Sequence, residues 1–234
     1  AREAGIDPAM SPLRLTIHAG EPGASIPATK ARIEREWGVR AYDHAGASEV
    51  GAHSFECAPQ PGSIHVIESE FIVEVIDPDG GDPVAPGERG ELVLTNLGRP
   101  CFPVLRYRTG DVVQVDPTPC PCGRTFIRLS GGILGRADDM LVVRGVNVFP
   151  SAIDGIVRRI DGINEYRVTL TKRRHMGQLV IEIECAAGAD SVESAHLLAA
   201  AIQRELAFQA EVVPVARGLL PRSELKARRF TIEA

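Results

Sequence analysis

GRADDMLVVRGVNVFP, Gly135–Pro150, is where the sequence changes its pattern. Before it, short alternating strands follow one another with turns between them. After it, strand-like and helix-like periods alternate. The paired aspartates place a domain boundary at Asp138–Asp139, so residues 1–137 and 138–234 read as two domains. Paired Asp residues commonly just solvate a linker. The sharper reading is a hinge at Asp138, because rotation about one or two backbone positions lets a small domain swing over a site.

Downstream, MLVVRGVNVFP is strand-like and SAIDGIVRRIDG is a short helix. EYRVTLTK and QLVIEIEC are two strands, SVESAHLLAAAIQRELA is a helix and EVVPVARG a last strand. The order β-α-β-β-α-β predicts a small ferredoxin-like domain. Upstream, SIHVIES, FIVEVIDP, GELVLTNL and DVVQVDP are separated by DGGDP and PGERG. That pattern predicts an antiparallel β subdomain.

The first 44 residues read β-α-β. LRLTIH is a half-buried strand, Ser25 is a candidate cap, a helix runs from Ile26 to Trp37 and stops at Gly38, and VRAYDH is a second strand. Such a crossover joins parallel strands, as in part of a doubly wound α/β domain. The loops AGEPG and DHAGASEVG then leave neighbouring strand ends, where open α/β sheets bind ligands.

A net charge of −5 argues against a general nucleic-acid or membrane-surface binder, which needs a basic face. No apolar run approaches the roughly 18 residues of a membrane span, and the N-terminal residues lack the pattern of a secretory signal. Five cysteines are an odd count and too few for a disulfide scaffold, so a reducing, cytoplasmic setting is expected.

Four motifs carry candidate chemistry. In YRTGDV, Gly110 permits a bend between strands and Asp111 offers a carboxylate that can accept two hydrogen bonds from a ribose diol; alone, it is more often an ordinary β-turn Asp. In ASEVG, Ser48 and Glu49 put a hydroxyl beside a carboxylate, a pairing suited to a phosphate with its Mg²⁺. LPRSELKARRF places Lys226 among arginines, either as a solvated basic face or as an ammonium reaching a transferring group. Cys120 and Cys122 in CPCG, with Cys57 and His65 in FECAPQPGSIH, make a Cys₃His set of the kind that holds structural zinc; the alternative is buried thiols and a surface histidine. Cys101 and Cys185 read as core residues.

In order, AGEP, YDHAGASEVG, GERGELVLTNL, YRTGD, GRADDMLVVRGVNVFP and LPRSELKARRF resemble the adenylate-forming acyl-CoA ligases, most closely the phenylacetate–CoA ligase family. The resemblance implies activation of an aromatic carboxylic acid by ATP with Mg²⁺, then transfer to coenzyme A. It matches Gly20, Glu21 and Pro22 to an adenine-side loop, Ser48 and Glu49 to the phosphate and Mg²⁺ loop, and Asp111 with Arg136 to the ribose. Asp138 falls on the hinge, Gly145 on the loop presented to coenzyme A, and Lys226 on the lysine of adenylation. Zinc at Cys57, His65, Cys120 and Cys122 and a homodimer are also implied. Many relatives have an aromatic residue where Ala45 stands. The likeness covers only the C-terminal half or so of a ligase, starting inside the large AMP-binding domain, without the Ser/Thr/Gly-rich phosphate loop or most of the acyl pocket. The alternative function is therefore a zinc-stapled interaction or regulatory module without catalysis.

Overall fold

The structure is a computed structural model that describes residues 4–20, 23–173, 176–222 and 229–233. The chain is a mixed α/β protein of two compact units, Ala1–Asp138 and Asp139–Ala234.

The first unit opens with strands β1 (Leu15–His18) and β2 (Arg40–Asp43), parallel and in register from Leu15–Arg40 to His18–Asp43. Helix α1 (Pro27–Trp37) joins them. Pro27 stands at the start of the helix, where its missing N–H removes a donor that would have no intrahelical acceptor. Gly38 ends the helix with a left-handed φ of 64° and donates its N–H to the Glu34 carbonyl. Ser25 is not the cap: Ile26 occupies that position without a side-chain bond, and its buried side chain anchors the entry instead.

A small hairpin follows, β3 (Gly46–Ala47) with β4 (Gly51–Ala52). The main sheet contains β5 (Ser54–Glu56), β6 (Ser63–Val66), β7 (Phe71–Ile76), β8 (Arg89–Asn96), β9 (Tyr107–Asp116), β10 (Arg128–Ser130) and β11 (Gly135–Arg136). Its order is β5-β6-β10-β9-β8-β7, with β11 on β9, and every pairing is antiparallel. Val50, Ile64, Val66, Phe71, Leu92, Leu94, Val113 and Leu129 close its core. Burying each such side chain stabilises the unit by about 1.5–3 kcal/mol. YRTGD does not form a turn between strands. It lies inside β9, because β8 supplies partners on both sides of it.

The second unit contains β12 (Leu141–Val143), β13 (Val146–Val148), α2 (Pro150–Val157), β14 (Ile163–Arg173), β15 (Met176–Cys185), α3 (Ser191–Leu206), β16 (Glu211–Val215) and β17 (Phe230–Glu233). Its main sheet runs β16-β15-β14-β17, with β14 and β15 antiparallel and each edge strand parallel to its neighbour. This differs from the expected ferredoxin-like order. The first strand-like segment folds on itself through Arg144 and Gly145, both at positive φ (50° and 82°), and makes a separate hairpin. The vacant edge beside β14 is filled by β17, four residues hidden in sequence behind a basic run. Asp190 caps α3 by accepting from the Val192 and Glu193 N–H groups. Ile153, Leu179, Ile181, Ile183, Leu198 and Ile202 are wholly buried in the core. Among the described residues no helix is long and apolar enough to cross a membrane.

Candidate functional site

The stretch from Arg108 to Asp111 is a bulge. Val93 pairs with Arg108 and Glu91 with Val112, so three residues of β9 stand against Leu92 alone. Gly110 takes φ 75°, which strains any other residue, and a Cβ there would lie 2.6 Å from Arg136 Nη2, so the guanidinium would have to move. The buried Glu91 grips the bulge from inside, accepting from Arg108 Nε at 2.8 Å and from the Gly110 N–H at 3.1 Å. Thr109 donates its hydroxyl to the Leu92 carbonyl at 2.8 Å and accepts the Asp111 N–H at 3.0 Å. Arg136 closes the outer side, donating to the Thr109 carbonyl at 3.0 Å and pairing with Asp111 at 3.6 Å and Asp138 at 3.0 Å. Arg136 holds the Asp138 carboxyl below its ordinary range. Asp111, Arg136 and Asp138 are therefore neighbours, and Asp111 remains half-buried at the surface.

Ser48 and Glu49 are exposed at the tip of the β3–β4 hairpin, while Val50 turns into the core. A Cβ on Gly46 would stand 2.9 Å from the Gly51 carbonyl oxygen, so the two arms approach closely. At the base, the Ala45 N–H donates to Ser54 Oγ at 3.1 Å and the His53 N–H to the Ala45 carbonyl at 3.1 Å. Burial pushes the His53 imidazole down to about 4, so it stays neutral at pH 7. Ala45 packs against the apolar core. Gly20 is exposed at φ 87°, and Gly145 is exposed in the turn between β12 and β13 of the second unit. Glu21, Pro22 and Lys226 lie outside the described residues.

Two supporting carboxylates were missed in the sequence. Glu91 shapes the bulge, and buried Glu56 accepts from Lys30 at 2.5 Å, the Asp43 N–H at 2.6 Å and the Gly62 N–H at 2.6 Å. The available signal was a charge inside an otherwise apolar strand, which must find partners once buried.

At the other edge of the sheet, the donor atoms of Cys57, His65, Cys120 and Cys122 all lie within 4.8 Å of one another. β5 leads into Cys57, β6 carries His65, and the turn closed by the Gly123 N–H on the Cys120 carbonyl brings the CxC pair. Cys57 and Cys120 sulfurs are 3.6 Å apart, and Cys122 Sγ is 3.5 Å from His65 Nε2. Those separations exceed a disulfide bond and match the edges, about 3.5–3.8 Å, of a tetrahedron with zinc–ligand bonds of about 2.0–2.3 Å. His65 Nδ1 faces the Phe126 carbonyl at 3.0 Å, which fixes the ring and leaves Nε2 toward the sulfurs. The Arg124 N–H brings the Cys122 thiol down to about 6, whereas burial pushes Cys57 up to about 11. The donor set fits a tetrahedral Zn²⁺.

The chain thus carries a glycine-bearing bulge beside Asp111 and Arg136, an exposed Ser48–Glu49 hairpin and a Cys₃His cluster, and comparisons with known proteins show what it is similar to. Residues 145–232 match the family described as AMP-binding enzyme C-terminal domain. The structure of a 2-hydroxyisobutyryl-CoA ligase in the postadenylation state with 2-HIB-AMP is 32% identical and superposes with a TM-score of 0.91, over 99% of this chain and 51% of that one. MatB from Rhodopseudomonas palustris, ATP-bound, shares the fold at 18% identity and a TM-score of 0.66, over 94% of this chain and 46% of that one. The fold is thus that of the adenylate-forming CoA ligases.

Within that class the chain is similar, as a C-terminal part, to the phenylacetate–CoA ligases. The phenylacetate–CoA ligase of Escherichia coli (strain K12) is 32% identical over 97% of this chain and 53% of its own length. That of Pseudomonas putida is 34% identical over 95% and 52%. The chain spans about half the length of the relatives it matches.

Proposed function

We propose that the protein carrying this chain converts an aromatic carboxylic acid of the phenylacetate type to its coenzyme A thioester through an acyl-adenylate. The observation that carries the reading is the β9 bulge, which fixes Asp111 beside Arg136, in a chain similar over nearly its whole length to phenylacetate–CoA ligases. In the first step a carboxylate oxygen attacks the α-phosphorus of ATP, and the bond to pyrophosphate breaks with its electron pair leaving on pyrophosphate. In the second, the coenzyme A sulfur attacks the acyl carbon, and the bond to the AMP oxygen breaks.

Asp111 accepts hydrogen bonds from the ribose hydroxyls, and Arg136 keeps it ionised and oriented. The adenine-side loop is Gly20 to Pro22. Ser48 donates to a phosphate oxygen, and Glu49 would hold a Mg²⁺, which would supply neutralisation of phosphate charge. Lys226 offsets charge developing between carboxylate and α-phosphate. Asp138 is the hinge and Gly145 the part of the second unit presented to coenzyme A. The Cys₃His set binds Zn²⁺ and fastens the edge of the sheet; it takes no part in either step.

The test is ATP–pyrophosphate exchange by the full-length protein that carries this sequence, with phenylacetate and a panel of aryl acids. Exchange with at least one acid is expected, and silence across the panel contradicts the reading. Lys226→Ala is expected to abolish exchange while largely sparing thioester formation from a supplied acyl-adenylate.

A further inference from the structure

An open cavity of about 330 Å³ in the first unit is lined by Ser48, Arg99, Pro100, Cys101 and Phe102. It joins the tip of the β3–β4 hairpin to a loop, residues 97–103, that no part of the reading above uses. That loop is exposed yet tied down. Asn96, buried at its base, donates from Nδ2 to the Phe102 carbonyl at 3.4 Å and accepts the Val104 N–H at 3.2 Å. The Asn96 N–H reaches the Val104 carbonyl at 3.1 Å, the Leu97 N–H reaches the Glu70 carbonyl at 2.8 Å, and the Phe102 N–H closes a turn on the Arg99 carbonyl at 3.2 Å.

The tied loop lays the Arg99 side chain across the hairpin. A Cβ on Gly51 would meet Arg99 Nη1, Cζ and Nη2 at 3.1, 3.2 and 3.5 Å, so the guanidinium lies over the glycine. Among the described residues the Arg99 guanidinium makes no hydrogen bond or ion pair. A cation without a described partner, at the mouth of a cavity shared with a hydroxyl, has the chemistry of an anion site. A guanidinium presents a planar fork of N–H donors suited to two oxygens. A phosphoryl group offers three acceptor oxygens, enough for that fork and the Ser48 hydroxyl together, whereas a carboxylate offers two.

We propose that Arg99, with Ser48, binds a phosphoryl group of the nucleotide, a role distinct from the ribose contact at Asp111. The proposal rests on the nucleotide reading of the hairpin and the β9 bulge given above. The ties anchor the loop backbone that carries Arg99, which limits the chain freedom lost when the side chain binds.

The test is titration of the full-length protein that carries this sequence with AMP and with adenosine, for the wild type and for Arg99→Gln, Arg99→Lys and Asp111→Asn. Arg99→Gln is expected to weaken AMP about tenfold or more, the scale of a charge-assisted pair, and to leave adenosine unchanged. Arg99→Lys is expected to recover part of the loss, because it keeps the charge without the fork. Asp111→Asn should weaken both ligands. Unchanged AMP affinity in Arg99→Gln, or an equal loss for AMP and adenosine, overturns the Arg99 role and leaves the ribose assignment standing. A wild-type full-length protein that binds neither ligand removes the nucleotide reading and this inference with it.

Discussion

Two regions of the first unit treat polar side chains in opposite ways. At one edge Cys57, His65 and Cys120 are only 5%, 0% and 8% exposed, and the fold itself brings their donor atoms together. Around the β9 bulge and the β3–β4 hairpin, Ser48, Glu49 and Arg136 are exposed, and the buried polar groups are the ones beneath them, Glu91 and His53. A donor set with three of its four residues buried is suited to serve the fold, because little from solvent reaches it beside the half-buried Cys122. Exposed groups on a braced frame can meet a ligand that comes and goes.

The largest expected effect therefore falls on the buried edge. Cys120→Ser should lower the melting temperature by about 10 °C, corresponding to about 3 kcal/mol or more for a chain of this size. A strong chelator should do the same to the wild type and little further to the variant; equal melting curves for wild type and variant would break the contrast. On the exposed side, Asp111→Asn should leave melting nearly unchanged while AMP binding weakens about 10- to 100-fold, the worth of hydrogen bonds to a charged acceptor. A large loss of stability instead would mean that Asp111 serves the fold. Gly110→Ala sharpens the boundary between the two behaviours. Its Cβ would collide with Arg136 at a backbone φ of 75°, so it should cost about 1–3 kcal/mol in chemical denaturation. Smallest of all, Ser25→Ala should change stability by less than about 0.5 kcal/mol, because Ile26 and not Ser25 caps α1.

Those two regions were not equally legible in the sequence. The Cys₃His grouping could be read because cysteines are few and a CxC pair invites a further Cys and His as partners, and the chain does bring the four together across 65 residues. The parallel β1–β2 pair and α1 with its Gly38 stop followed from apolar period and glycine placement. The bulge was not visible as such. YRTGD contains the same Gly-Asp signal whether β8 pairs with it or not, and the bracketing pairs, Val93–Arg108 and Glu91–Val112, are 15 and 21 positions apart in sequence. The edge order of the second sheet escaped for a similar reason: Phe230–Glu233 is too short to declare itself, and only the open side of β14 recruits it. Glu91, Glu56 and Arg99 were passed over because single charges in a sequence carry no sign of what they face.

The most direct test of the contrast is a residue-resolved NMR titration, with AMP, of the full-length protein that carries this sequence, prepared with added Zn²⁺. Saturable shifts are expected at Ser48, Glu49, Gly110, Asp111 and Arg136, with the signals of Cys57, His65, Cys120 and Cys122 unmoved. Shifts concentrated at the four metal-type residues, or no saturable shift at the bulge and hairpin, would contradict the account.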